Sequence, residues 1–458
     1  MIRLLLSDMR TDARSFIGPF VSTVVCSFWV ALAAFFWFST RTPAAILALA
    51  AAPDGTSNTL TQLTVFLLLM GIALPSAIVL SSVGATKVAQ SHTRYARWRL
   101  AGATPGQVFG GVLAQFAISS LAAAIVGILA ALPLIQVGAN YLMSVTDIGI
   151  ILPTQPTWSA VVATCAFVVG LSGLGAGLPS LRAARVTAIE ALQETAERTE
   201  IRLRPRSVVG AGVVLTAGIL CAVGAINESY NGSASSLVML FGCAVLVAIA
   251  ILASAVFPWF VRTWTGLIPA RLSTAWYLAR HGALARLTAT TSTITPFMIG
   301  AGLLSIYYSA ATTWAATSRQ EQNVALLQGL VLFIPAAVIA ITGSAATVFM
   351  VGKTRDRDTA LLRATGAPPH SLALMPVLEA LIYAATAFFL SAAVALAAVL
   401  VYAAFLARQG YAWSPQLDLR AGARAVVSVL GFIGLLLAIG IPTQIANTKS
   451  VRETLAAD

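Results

Sequence analysis

Ten apolar stretches, each long enough to cross roughly 30 Å of hydrocarbon, constrain this chain more than any other feature. They begin near Phe16, Leu60, Val108, Trp158, Val208, Ser235, Thr288, Val324, Leu372 and Ala425. Only 10% of the residues are charged, against about 25% in soluble domains, and the mean hydropathy is +0.87. So few charges cannot cover the surface of a soluble fold. The expected fold class is an all-α polytopic membrane protein of about ten transmembrane helices. The stretch from Val108 to Val137 is longer than a span requires and is expected to tilt or to project beyond the bilayer. The first stretch follows basic residues but lacks a small-residue cleavage site, so it is expected to be retained as a span.

The placement of Lys and Arg orients the helices. With the N-terminus inside, 23 of the 28 cations fall in cytoplasmic segments, and Arg41, Arg319, Arg408, Arg420 and Arg424 remain outside. Lys87, Arg94, Arg97 and Arg99 form one inner cluster, and Lys353, Arg355, Arg357 and Arg363 another. This asymmetry accounts for the net charge of +12 without nucleic acid. Both termini are expected in the cytoplasm. The outer loops, the largest near residues 40–59 and 138–157, are too short to fold as separate domains.

Two sites of chemistry are excluded. Gly352-Lys353-Thr354 resembles the end of a phosphate loop, but Thr347 stands where the first glycine is required, and the upstream residues are apolar. Leu171-Ser172-Gly173-Leu174-Gly175 echoes an ATPase signature loop inside another apolar run. Cys26, Cys165, Cys221 and Cys243 all lie in apolar runs without metal-ligand spacing, so packing is their expected role. No catalytic residue, metal site or cofactor is expected on this chain.

The chain repeats itself. "RYARWRLAGATPGQV" from Arg94 matches "DTALLRATGAPPHSL" from Asp358 at an offset of 264, pairing Arg99 with Arg363, Gly102 with Gly366, Ala103 with Ala367 and Pro105 with Pro369. Gln115 then falls opposite Glu379. A second pair, "PSLRAARVTAIEAL" from Pro179 and "PTQIANTKSVRETL" from Pro442, matches Glu190 with Glu453 at an offset of 263. Two landmarks at nearly one offset indicate a duplicated four-span unit. The expected layout is 4+2+4, with units over residues 1–200 and 271–458 and a two-span insert over 201–270. In each copy a basic helical turn just outside the membrane is stopped by glycine and proline. A short rigid cytoplasmic helix is expected there, able to transmit force from a soluble partner.

"WRLAGATPGQV" and "LLRATGAPPHSL" are similar to the Arg-x-x-Gly-Ala coupling segment of the FtsX-like permeases. These are membrane subunits of ABC transporters related to the macrolide exporter MacB and the lipoprotein-release permeases. "PSLRAARVTAIEAL" resembles the stretch after that family's fourth helix, and the 4+2+4 layout resembles the bacitracin-exporter type. The resemblance implies an ABC ATPase subunit as partner, two copies per permease, with ATP and Mg bound there. It implies that Arg99, Gly102, Ala103, Pro105, Arg363, Gly366, Ala367 and Pro369 lie at the ATPase contact, with Glu190 and Glu453 as second coupling contacts. The large extracytoplasmic domain of those exporters has no counterpart here.

The function expected from this resemblance is ATP-driven export, or extraction from the bilayer, of an amphipathic compound at the bacterial cytoplasmic membrane. The alternative is a mechanotransmission complex acting on a kinase or envelope enzyme. A secondary transporter is disfavoured by the scarcity of intramembrane charge. Glu379 is the one acidic residue expected within a span, as a polar clamp with Gln115 as its counterpart. The small residues from Gly170 to Ser180 are expected to let their helix approach a neighbour closely, and the charged segment from Arg182 to Arg206 is expected to form an amphipathic surface helix.

Overall fold

The computed structural model describes residues 13–50, 57–91, 95, 98–145, 153–185, 205–229, 231–269, 273–285, 287–318 and 323–411, with 415, 429 and 433 besides. Among these the elements are helices: α1 (Ala13–Ser39), α2 (Pro43–Ala50), α3 (Ser57–Gln90), α4 (Pro105–Ala131), α5 (Ile135–Val145), α6 (Trp158–Arg185) and α7 (Pro205–Asn227). There follow α8 (Asn231–Ile251), α9 (Ala253–Gly266), α10 (Thr274–Ala285), α11 (Leu287–Ser318), α12 (Asn323–Ala364) and α13 (Pro369–Arg408). Nine helical stretches among the described residues are long and apolar enough to cross a membrane, and they fall on nine of the ten expected runs. The tenth run, from Ala425, lies outside the described residues, as does most of the segment from Arg182 to Arg206. An all-α polytopic membrane protein fits this architecture, since a helix satisfies its backbone groups internally where lipid offers no partners.

Proline and glycine punctuate the chain. Pro43, Pro105, Pro205 and Pro369 each open a helix, where the missing N–H costs nothing. The long stretch from Val108 is divided where Pro133 forces a 3₁₀ turn, Leu132–Leu134, between α4 and α5. The excess length therefore becomes a second short helix. At the other extreme, α12 runs unbroken for 42 residues, about 63 Å at 1.5 Å per residue. It carries Gly352-Lys353-Thr354 within a continuous helix, a geometry that cannot cradle phosphate. The basic segment before Arg363 is thus the end of α12 and not the separate short helix expected, because no residue from Val351 to Ala364 is a proline.

α1 and α6 pack on each other and on both α3 and α4, while α11 packs on both α12 and α13. The two groups meet along a seam where α12 lies against α3 and α1, and α11 against α3. α7 and α8 pair with each other and lean on α13, with α8 also on α11. α10 lies along α13. The N-terminal end of α1 touches both the end of α3, through Lys87 over Phe16, and α12, through Gly18 beside Ala346. The turns after α3 and α12 therefore lie at one end of the bundle, called here the elbow end.

The most buried spanning helix is also the least apolar. α11 is buried over 83% of its apolar window, whereas α7 is buried over 22%. Several hydroxyls of α11 turn back onto carbonyls one turn earlier: Thr295 to Thr291, Ser305 to Ala301 and Thr313 to Ser309, at 2.7–2.8 Å. Satisfied in this way they add little bulk and allow neighbours to come close. The expected close approach of α6 holds at one of its glycines. A Cβ on Gly175 would run into the Cα of Ser81 on α3, whereas Gly170, Gly173 and Gly177 face open space.

Candidate functional site: paired elbows, a buried clamp and an apolar cavity

At the first elbow the helical turn containing Trp98 and Arg99 ends in a left-handed glycine, Gly102, with φ +93°. The Gly102 N–H donates to the Arg99 carbonyl and the Ala103 N–H to the Trp98 carbonyl, both at 3.0 Å. At the second elbow Gly366, with φ +88°, donates to the Arg363 carbonyl and Ala367 to the Leu362 carbonyl, again at 3.0 Å. These are the two hydrogen bonds of a Schellman helix end. A conformation with φ near +90° is open to glycine and strained for other residues. Gly410 closes α13 in a similar way. What the first two share beyond it is the proline-led helix that begins three residues after the glycine, at Pro105 and Pro369.

The two elbows are anchored differently. Thr104 caps α4 with a reciprocal pair, its hydroxyl accepting from the Gln107 N–H while Gln107 Oε1 accepts from the Thr104 N–H. Pro368 caps α13 with no side-chain bond. Tyr95 and Trp98, ring centroids 5.5 Å apart, pack the first elbow onto Val108, Val112 and Phe116. The second elbow is tied through Ser371, whose hydroxyl lies 2.8 Å from that of Thr274 on α10. Both elbows are exposed along Gly102, Thr104, Pro105, Gly366 and Pro368, with Leu100 and Leu361 bare beside them. Arg99 and Arg363 are half-buried. The structure therefore brings the sequence-predicted residues into two like elbows at one end. Glu190 and Glu453 lie outside the described residues.

Glu379 is buried on α13, ten residues past Pro369, and Gln115 is buried at the same distance past Pro105. Tyr383, one turn on, donates its hydroxyl to Glu379 Oε1 at 2.5 Å. The Tyr383 hydroxyl also lies 3.2 Å from Thr290 Oγ1 of α11, which donates to the Ala283 carbonyl of α10 at 2.7 Å. A third tie follows where the Trp264 indole of α9 donates to Thr386. One face of α13 is thus hydrogen-bonded at Ser371 and Thr386 to α10 and α9, and Tyr383 lies in contact with Thr290 of α11. Glu379 is bonded by Tyr383 of its own helix, and Tyr383, Thr290 and Thr274 are polar contacts of this region that sequence reasoning missed. Tyr383 carried a signal in its spacing, four residues from Glu379.

Lys87, counted in the first inner basic cluster, is buried. It is 2% exposed in the last turn of α3, its ammonium 4.1 Å from the centre of the Phe16 ring. Lys87 and Glu379 are the two ionisable side chains among the buried polar residues described.

Away from the elbow end, α1, α3, α5 and α12 enclose a cavity of about 420 Å³. Trp29 and Ala33 of α1, Ile72 of α3, Ala139 of α5 and Pro335 of α12 line it. A second, of about 280 Å³, lies between α1, α3 and α6 and shares Ala33 and Ile72 with the first. Comparison of the chain with protein-family models and with curated proteins finds no match.

Proposed function

We propose that this chain is the membrane-spanning permease of an ABC transporter of the FtsX-like kind, moving an amphipathic compound out of the bacterial cytoplasmic membrane or out of the cell. One observation carries the proposal: the same Arg-x-x-Gly-Ala-x-Pro elbow is built twice, with matching backbone geometry, at the same end of the bundle. A loop selected only for positive charge needs neither the glycine conformation nor the proline-led restart. The ten spans are arranged 4+2+4, both termini face the cytoplasm, and the elbows meet two ATPase subunits that hold ATP and Mg.

The elbows act as rigid corners. When the ATPase dimer closes, force on Arg363, Gly366 and the exposed Leu361 passes into α12 and α13, which are long unbroken helices. The Thr274, Thr290 and Trp264 ties make α9, α10 and α11 follow α13. The first unit moves through Arg99 and Gly102, and the seam between the halves changes shape. Arg99 and Arg363 pair with acidic residues of the ATPase, for which the planar guanidinium is suited.

The test is reconstitution of the chain with the ATPase encoded beside it. Arg99→Glu and Arg363→Glu together are expected to abolish permease-dependent stimulation of ATP hydrolysis while leaving insertion intact. Unchanged stimulation, or solute movement by the isolated chain on an ion gradient, overturns the proposal. Coupled hydrolysis without cargo movement would favour mechanotransmission.

A further inference from the structure

The cavity between α1, α3, α5 and α12 sits on the seam between the two halves. α1, α3 and α5 belong to one side and α12, through Val331, Ile334 and Pro335, to the other. No charged residue lines it, and the polar side-chain atoms on its wall belong to Tyr141 and the Trp29 indole. A sugar or a peptide backbone held there would lose its water without gaining partners, which is unfavourable for every group buried. A helix, about 10–12 Å across with its side chains, does not fit a space of about 420 Å³. That volume lies within the ordinary range for a small-molecule site, about 300–1,000 Å³.

α5 is built as the cover of this space. Ile135, Ala139 and Leu142 on one face are buried, while Asn140 and Tyr141 are exposed. Gln136 fixes the helix by accepting from the N–H and the hydroxyl of Thr154, at 3.1 and 2.7 Å, and by donating to Asn140. The cover thus has an apolar underside and an uncharged outer side on which Asn140 and Tyr141 stand beside Val137. Gly138, within it, lines the cavity, and a Cβ there meets nothing within 4 Å.

We propose that this cavity holds the hydrocarbon tail of the transported amphiphile, with the polar end at Tyr141 and the upper face of α5. The tail enters from the half of the bilayer remote from the elbows. Because α12 forms one wall, closure of the elbows alters the volume and releases the tail. The assignment rests on the permease reading and names the chemical class of its cargo, an amphiphile with a linear alkyl chain.

The experiment uses the full chain in lipid discs and palmitic acid bearing a diazirine at the chain end. Photolabel is expected on the α1 peptide carrying Phe28 to Phe36 and the α5 peptide carrying Ile135 to Leu142. Gly138→Phe, which sets a ring at the cavity wall where an added Cβ meets nothing within 4 Å, is expected to lower that label by about tenfold, equivalent to about 1.4 kcal/mol of binding. Gly173→Phe, on a helix surface facing open space, is expected to leave it unchanged. Label spread over exposed residues such as Val162 and Leu220, or label indifferent to Gly138→Phe, overturns the site. In the complex with its ATPase, palmitic acid is expected to stimulate hydrolysis in the unaltered chain and not in the Gly138→Phe variant. Label without stimulation identifies a resident lipid tail and overturns the cargo assignment. Arg363→Glu separates the two proposals, since it is expected to keep the label and lose the stimulation.

Discussion

Gly102 and Gly366, 264 positions apart, hold φ at +93° and +88° and each donates its N–H to the carbonyl of the arginine three residues before it. Neither has a heavy atom within 4 Å of where a Cβ would stand. The requirement for glycine is therefore one of backbone conformation and not of space.

Gly102→Ala and Gly366→Ala each place an L-residue in the left-handed region, at about 1–2 kcal/mol. Gly106→Ala, in the first turn of α4 with open space around it, is expected to be neutral or to gain about 0.5–1 kcal/mol. Thermal unfolding of the three purified variants in one detergent checks this. Equal midpoints for Gly102→Ala and Gly106→Ala would remove the conformational reason for the elbow glycine.

A second contrast lies within one helix. Gly175→Ala sets a methyl group against the backbone of α3 at Ser81, while Gly173→Ala, one half-turn away, meets nothing. Overpacking of this kind costs typically about 1–3 kcal/mol. The Gly175 variant is expected to melt earlier and the Gly173 variant to match or exceed the parent chain. Gly84→Ala, which faces Ala176 N at 3.1 Å from the other side of the same contact, is expected to fall between them.

The ammonium of Lys87 over Phe16 invites a double-substitution cycle with Phe16→Leu and Lys87→Met. Phe16→Leu keeps an apolar side chain and removes the ring face. A desolvated cation–π contact contributes about 2 kcal/mol, an exposed one about 0.5–1. With Lys87 2% exposed, a coupling energy of about 1–2 kcal/mol is expected from chemical unfolding of the four chains. A coupling near zero would mean that the buried ammonium is held by its other partners alone.

The sequence carried the parts of this architecture that depend on local chemistry. Runs of twenty apolar residues identify spans because lipid thickness sets their length, and nine of them stand where expected. Both elbows were legible because glycine and proline act on the backbone within a few residues. The division at Pro133 and the continuity of α12 past Met350 were not foreseen. The first follows from a proline near the end of a run that apolar counting treats as uniform. The second follows from the absence of any breaker, since one isolated Gly352 is tolerated inside a helix. The burial of Lys87 was not foreseen because charge counting ignores which face of α3 a residue occupies. The cavity and the Thr290 contact were invisible for a different reason. They join residues some 93 to 300 positions apart, and only tertiary packing brings such residues together.

Tyr383 is the member of the buried clamp that faces both ways, toward Glu379 on its own helix and Thr290 on α11. Tyr383→Phe removes the shared hydroxyl and leaves Glu379 without one of its donors inside the bundle. Loss of one partner of a buried polar group costs about 1–3 kcal/mol, more where the group is charged. Thr290→Val removes the hydroxyl bonded to the Ala283 carbonyl and is expected to cost about 1 kcal/mol. Since both substitutions break the same chain of hydroxyls, their effects are expected to be less than additive by at least about 0.5 kcal/mol. Glu379→Gln retains an acceptor for Tyr383 and copies Gln115, its counterpart in the first unit, so its unfolding midpoint is expected to stay within about 1 kcal/mol of the parent. Chemical unfolding followed by tryptophan fluorescence measures the three variants and the Tyr383→Phe/Thr290→Val double. Strict additivity of Tyr383→Phe and Thr290→Val would show that α13 and α11 are not fastened at this point, leaving their side-by-side packing as the route from the second elbow to the most buried spanning helix.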